Sequence, residues 1–386
     1  MKSRRPAASM RSSRQRVTLD LGESMKRNGT TSGAGATNGS VTIRDVARKA
    51  RVSMASVSRV LSEHPDVSVA MQQRVLKAVE SLNFAPDLVA QSLRRGVTQT
   101  IGFLIGDISN AVYADVIRGA EDYARGKGYS VMLTNSEGDP GLDAEHLRLF
   151  LRRRVDGIIV STAESGSADV ARDVINQSVP YVVLDRDAPR NARVSTVFGD
   201  HASGTRDATA HLLAHGHRDI TLITGSEDLK PIRERLRGFR EAFEAVGESP
   251  RESLIRRGRL TPEFGRQESV RLLGRANRPS AIIAGNNRVL TGVLEGVNET
   301  RFQLGRDLAV VGYDNLDLAR IYRPPISVVV RDQYRMGQVA CELLIEQLTN
   351  PSAPVRSVTL PTRFLARASS DFRWTGDTIG QGSTPA

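Results

Sequence analysis

Three of the chain's six histidines crowd into one stretch, AHLLAHGH, where His211 and His215 stand four residues apart and His217 follows. On a helix that spacing puts two imidazoles on one face, where they can share a metal ion. No Glu lies between them in the HExxH manner, and the stretch runs straight into an apolar strand. A helix C-terminus stopped at Gly216 explains it better, so no metal and no cofactor are expected. Cys341 is the single cysteine, which rules out an internal disulfide framework. It lies in MGQVACELLIEQL, where a small buried helix residue is expected and no activating partner stands nearby. There is no P-loop, no nucleophile elbow and no GxGxxG following a strand, so catalytic residues and enzymatic activity are not expected. The polar residues with promise close apolar runs instead. Asp314 ends VVGYD and Asn286 follows IIAG, at strand ends, where open α/β sheets present their ligand-binding groups.

The elements that position these residues change character along the chain. VTIRDVARKA, VSMASVSRVL and the segment from Ser68 through Val75, Leu76, Val79 and Leu82 to about Asn83 carry apolar residues at helical spacing. Thr42 is placed to cap the first helix with Asp45 in a carboxylate variant of the capping box, and Ser53 to cap the second. Three short helices this close together make a helix-turn-helix unit. FAPDLVAQSLRRG then reads as a short helix between Pro86 and Gly96 with no core of its own, marginal in isolation. From residue 100 short apolar strands (TIGFLIGDI, YSVMLTN, VDGIIVS, PYVVLDR, ITLITGS, PSAIIAG, LAVVGYD) alternate with helical patterns. Parallel, doubly wound α/β units follow, in two similar halves with a cleft between their strand ends.

The charge is lopsided. Of a formal net +11, residues 1–40 hold 8 basic and 2 acidic side chains, residues 41–95 hold 9 and 5, and the remainder 37 and 36. The excess is N-terminal and indicates a polyanionic partner. Residues 1–40, rich in Gly, Ser, Thr and Asn, read as a disordered basic tail. They carry no apolar segment of the secretory type, and no run in the chain is long enough to span a membrane. A reducing cytoplasm is the expected compartment.

The order VTIRDVARKARVSMASVSRVLSEHPDVSVAMQQRVLKAVESLNFAPDLVAQSL resembles the N-terminal segment of the lac repressor (LacI/GalR) family of bacterial transcription regulators. The likeness continues through IGFLIGDISN, RRRVDGIIVS, HLLAHGHRDI, RERLRGFREA, VVGYDNLDLAR and LPTRFLARAS, over roughly residues 41–372. It implies that Ser53 to Leu61 is a recognition helix for the major groove of operator DNA. Met54 and Ala55 then occupy the base-selecting positions, with Ser56 beside them, and Arg59 a turn later is the candidate for bidentate contact to guanine. Thr42, Ser53, Ser56, Ser58 and Ser68 are candidates for phosphate contacts or, equally, plain helix caps. Asp87 to Arg94 resembles the family's hinge helix, with Leu93 as the wedge in the minor groove. For the effector cleft the resemblance nominates Asp185, Arg235, Asn286 and Asp314, with Val112, Tyr113, Phe198 and Leu260 as apolar walls. That donor and acceptor set suits a sugar or sugar derivative, while Lys230, Arg233 and Arg237 around Arg235 leave an acidic or phosphorylated sugar open. A nucleobase or other metabolite is the alternative effector. Two positions depart from the family's common pattern: Ala111 where proline is frequent, and Asn287 where aspartate is.

The implied fold is an N-terminal all-α helix-turn-helix headpiece plus hinge helix, followed by two α/β doubly wound subdomains of the periplasmic-binding-protein type. The expected boundaries are a tail at 1–40, the DNA-binding domain at 41–85, the hinge helix and linker at 86–99, a two-lobed effector-binding and dimerisation domain at 100–372, and a flexible tail at 373–386. Within the two-lobed domain the first lobe takes about 100–197 and 331–359 and the second about 198–330 and 360–372. The function implied is an effector-controlled repressor acting as a homodimer on double-stranded operator DNA. A transporter's solute-binding protein shares the two-lobed fold, but it carries a leader and no headpiece. The C-terminal DFRWTGDTIGQGSTPA has no leucine heptad, so a coiled-coil tetramer is not expected.

Overall fold

A computed structural model describes residues 41–62, 64–84, 96–162, 179–188, 192 and 194–375. The expected tail at 1–40, the hinge helix with Leu93, and residues 376–386 lie outside these. The chain divides at residues 86/87 into two compact units.

The first unit holds α1 (Ile43–Ala50), α2 (Met54–Leu61) and α3 (Val69–Ser81). Val46, Ala47, Ala50, Val57, Val60, Val75 and Ala78 form their shared core. Those residues are small, so the three helices approach closely. Arg51, in the left-handed region at φ 54°, makes the sharp turn out of α1. Ser53 and Ser68 cap α2 and α3 by accepting from the Ser56 and Met71 amides.

The second unit is built on two six-stranded sheets with one plan. The first contains β1 (Thr100–Ile105), β2 (Ser130–Asn135), β3 (Gly157–Ser161), β4 (Tyr181–Leu184), β5 (Ser195–Gly199) and β11 (Ser357–Leu360), in the order β11-β5-β4-β3-β1-β2. The second contains β6 (Ile220–Thr224), β7 (Ile255–Arg257), β8 (Ala281–Ala284), β9 (Ala309–Tyr313), β10 (Ser327–Arg331) and β12 (Thr362–Leu365), in the order β12-β10-β9-β8-β6-β7. The first five strands of each are parallel and equivalent one for one; β11 continues parallel to β5, whereas β12 runs antiparallel to β10. The helices among the described residues are α4 (Val112–Gly126), α5 (Pro140–Arg153), α6 (His201–Ala214), α7 (Lys230–Glu244), α8 (Pro262–Leu273), α9 (Asn287–Asn298), α10 (Asp317–Ile321) and α11 (Gln333–Thr349). Nearly every residue of the central strands is buried, as continuous apolar runs covered on both faces require.

Three expectations are corrected by these strands. Phe198 and Gly199 belong to β5 in the first sheet, Arg331 to β10 in the second and Leu360 to β11 in the first, so the chain changes sheet one or two residues later than expected. The expected flexible tail does not begin at 373, because the Trp374 amide donates to the His215 carbonyl at 2.8 Å and its ring stacks on His217. Cys341 is fully buried, and burial pushes its thiol up to about 12.

α4 and α11 cross so closely that a methyl group at Gly337 would strike the Val116 carbonyl. Gly337→Ala should therefore lower the unfolding free energy by about 1–3 kcal/mol in urea denaturation. Gly126→Ala, in the same packed pair but with open space around it, should raise it by about 0.5–1 kcal/mol.

Candidate functional site

β4 and β9 occupy equivalent places in the two sheets, and each is followed by an aspartate in left-handed backbone, Asp185 at φ 56° and Asp314 at φ 65°. Their amides donate to equivalent partners, Val197 and Val329, at 2.8 and 2.9 Å. Both carboxylates are buried, and two buried charges of one sign need cations. Arg331, at the end of β10, supplies one to both: its Nη1 lies 2.6 Å from Asp185 Oδ2 and its Nε 3.0 Å from Asp314 Oδ1. The counterpart of Arg331 in β5 is Gly199. A Cβ there would sit 3.1 Å from Arg331 Cδ, so the glycine leaves the space the arginine fills. Gln333 Nε2 adds a bond of 2.7 Å to Asp314.

Asp185 is also tied to His201, the first residue of α6, whose Nε2 is 3.0 Å from Oδ1. His201 Nδ1 faces Arg235 Nη2 at 3.3 Å. A guanidinium only donates, so Nδ1 is the lone pair and Nε2–H donates to the carboxylate. Burial holds His201 below the ordinary histidine range; Asp185 opposes this, and Arg235 and Arg331 reinforce it. Burial alone would raise Asp185, but the bond from His201, the Arg331 charge and the Gly199 amide outweigh it and keep the carboxyl well below its usual range. Arg235, on the second turn of α7, donates to the Gly285 carbonyl, stacks 4.3 Å from the Tyr313 ring centroid and leaves its buried Nε without a partner.

Asp185, Asp314, Arg235, Arg331 and Gln333 line a cavity of about 110 Å³ between the carboxyl ends of the two sheets. Seven of the eight residues nominated for the cleft meet there: Val112, Tyr113, Asp185, Arg235, Leu260, Asn286 and Asp314. Asn286 caps α9 through its Oδ1, which accepts from Val289 at 2.7 Å and leaves its amide protons for the cavity. Phe198 does not reach it; its ring is covered by Lys230, 3.7 Å from the centroid. The crowding of basic residues around Arg235 is also absent from the cavity. Arg233 pairs with Asp187 at 2.5 Å, and Arg237 is spread between Glu234 and Glu241 on an exposed helix face. The added positive charge comes instead from Arg331 and Arg186, neither of which sequence reasoning singled out, and His201 was missed as well. In the cavity wall Asn287 Nδ2 latches the two sheets' loops by donating to Asn110 Oδ1 at 3.0 Å, and next to it Arg288 bonds Asp107 and Ser109.

In the first unit Met54, Ala55, Ser58 and Arg59 share the exposed side of α2, opposite Val57 and Val60. Arg59 has no ion pair among the described residues. Ser53 and Ser56 bond each other at 2.9 Å, and Ser68 is exposed at the start of α3. Thr42 gives its hydroxyl to Asp45 at 2.7 Å and its amide at 3.0 Å, closing the expected carboxylate capping box.

Residues 42–87 match the family described as bacterial regulatory proteins, lacI family, and residues 209–370 match the periplasmic binding protein-like domain. The repressor PurR of Photobacterium profundum is 31% identical over 333 residues, 85% of this chain and 98% of that one. The ribose operon repressor of Escherichia coli K12 is 32% identical over 331 residues, 85% of this chain and 99% of its own. The chain belongs to the lac repressor family of bacterial transcription regulators. The lac repressor dimer bound to operator and the anti-inducer ONPF superposes with a TM-score of 0.76 at 25% identity, covering 86% of this chain and 99% of that one. The relatives are regulators of transcription rather than enzymes, and this member is one too. Among the described residues no helix is long and apolar enough to cross a membrane.

The neutral state of His201 has a measurable consequence. The unfolded chain takes up a proton here below about pH 6.5 and the folded chain resists it, so this stability is complete above that pH and lost as the pH falls. His201→Gln should flatten the pH dependence of the unfolding free energy between about pH 6.5 and 5 by up to ~1.4 kcal/mol per unit. An unchanged slope in urea titrations would mean that the imidazole is charged in the folded state.

Proposed function

We propose that the chain is an operator-binding repressor whose affinity for DNA is set by a sugar or sugar derivative held between the two lobes. The observation that carries this reading is the convergence of Asp185, Arg235, Asn286 and Asp314 on one cavity at the strand ends. Carboxylates accept, guanidinium and amide protons donate, and the apolar walls of Val112, Tyr113 and Leu260 suit the carbon face of a ring. A name among the relatives, the ribose operon repressor, fits a sugar. The cavity is smaller than the roughly 300 Å³ at which ordinary ligand sites begin, so an occupant has to part the lobes or displace Arg331. Such a ligand binds one lobe arrangement better than another, and only that difference can shift operator affinity.

On the DNA side, Arg59 is the base reader, Met54 and Ala55 make apolar contacts, and Ser53, Ser56, Ser68 and Thr42 position phosphates. Leu93 is the minor-groove wedge, and residues 1–40 add phosphate contacts. Two half-sites require two subunits, so the working form is a homodimer, as in the operator-bound lac repressor. Its place is the cytoplasm, on the nucleoid when bound to DNA.

A thermal-shift screen of sugars, sugar acids and nucleobases against the full chain tests the effector class. A sugar should raise the unfolding temperature of the wild type and leave Asp314→Asn unmoved; stabilisation by nucleobases alone would overturn the sugar reading. In gel-shift titrations Arg59→Ala should cost about 1–3 kcal/mol on operator DNA and relax discrimination at one base pair. Leu93→Ala should weaken operator binding far more than non-specific binding.

A further inference from the structure

The second unit brings a third donor to the histidine pair at the end of α6. The rings of His211 and His215 lie 4.2 Å apart. The chain returns to them after β12, held by the Trp374 amide on the His215 carbonyl, and sets Asp371 beside the helix end. One ligand atom from each of His211, His215 and Asp371 falls within 4.8 Å of the other two.

The hydrogen bonding of His215 decides what faces Asp371. Its Nδ1 is 2.8 Å from the His211 carbonyl oxygen, which can only accept, so Nδ1 carries the proton and Nε2 of the neutral ring is a lone pair. That lone pair stands 3.4 Å from Asp371 Oδ1. Two acceptors aimed at each other need a cation between them, a proton or a metal. Tetrahedral zinc, with bonds of about 2.0–2.2 Å to nitrogen and carboxylate oxygen, separates its donors by roughly 3.3 Å, close to the gap present. The carbonyl end of α6 adds negative potential. His211 is the remaining donor. Its Nε2 lies 3.0 Å from the Ser370 carbonyl and 3.2 Å from the Ser370 hydroxyl, so it joins through Nδ1 or by giving up those bonds. Asp371 is 62% exposed, which opens a way in and room for a water ligand.

We propose that His211, His215 and Asp371 bind one divalent transition-metal ion of the zinc class, with water completing the shell, and that the ion pins the returning C-terminal segment to the end of α6. The sequence pattern alone spoke against a metal because no Glu lies between the two histidines and the stretch runs into a strand; the fold supplies a carboxylate, Asp371, from far along the chain. The site is separate from the effector cleft and stands whether or not the ligand there is a sugar.

The test uses the full-length, untagged protein stripped with EDTA. Titration with Co²⁺ should produce the visible absorption of tetrahedral cobalt, saturating at one equivalent and displaced by Zn²⁺. Asp371→Asn and His215→Gln should each weaken the metal affinity by about tenfold or more, and Zn²⁺ should raise the unfolding temperature of the wild type but of neither variant. In EDTA the Asp371→Asn protein should unfold with the wild type, which separates lost metal binding from lost folding. No cobalt absorption, or equal metal affinity in both variants and the wild type, would overturn the proposal and leave a proton as the cation between His215 and Asp371.

Discussion

The second unit depends on how two buried carboxylates are neutralised. Asp185 and Asp314 end equivalent strands of different sheets, and an isolated carboxylate in such a place would cost several kcal/mol even after relaxation. Arg331 answers both at once, and because it leaves the second sheet and reaches a carboxylate of the first, the same contacts that neutralise the site also fix one lobe against the other. Charge balance and lobe position are therefore one variable. A ligand that offers its own donors to Asp185 or Asp314 competes directly with the bond that holds the lobes together. No separate transmission element is needed for the cleft's contents to be felt in the lobe arrangement.

That arrangement rests on a broken symmetry. The two sheets share strand order, the two aspartates share backbone conformation, and their amides share partners. A symmetric pair of arginines would collide and overcharge the site. Gly199 stands where the second arginine would be, makes room for Arg331 and turns its amide to Asp185 at 3.1 Å. The remaining side of Asp185 goes to His201, which must stay neutral because Arg235 and Arg331 already crowd it. One arginine, one glutamine, one glycine amide and one neutral imidazole thus serve two carboxylates.

Much of this was legible in the sequence where a residue's role is local. Helix caps at Ser53 and Ser68 follow from hydroxyls accepting nearby backbone amides, the Thr42 cap from the Asp45 carboxylate that reaches back to its amide, and Asn286 and Asp314 from their places at the ends of apolar strands facing the cavity. The same rule applied to SVVVR would have found Arg331, but that strand was passed over, and with it the partner of both aspartates. His201 was hidden because β5, STVFG, is diluted by Ser and Thr and reads weakly as a strand, so the helix start behind it lost its context. Phe198, nominated by the resemblance, packs under Lys230 instead of lining the cavity. Arg233 and Arg237 looked like cleft cations in sequence because their carboxylate partners, Asp187, Glu234 and Glu241, become visible only with helix faces and loops in three dimensions.

The headpiece shows why capping and phosphate contact need not compete. At Ser53 and Ser68 the hydroxyl oxygen accepts from a backbone amide, and a hydroxyl that accepts still has its proton to donate. A phosphate oxygen approaching the start of α3 would meet that proton, and at the start of α2 the one proton left over by the Ser53–Ser56 bond, together with the positive end of the helix. Thr42 differs, since its hydroxyl proton is already committed to Asp45 and a phosphate would have to displace a carboxylate. On the proposed reading, α2 then carries one strong base-reading group, Arg59, flanked by Met54, Ala55 and Ser58, which offer little hydrogen-bonding information. On that reading discrimination between operators draws on what a deformed duplex costs as well as on base edges, and the tally of 17 basic against 7 acidic side chains before residue 96 suits contacts to the phosphate backbone.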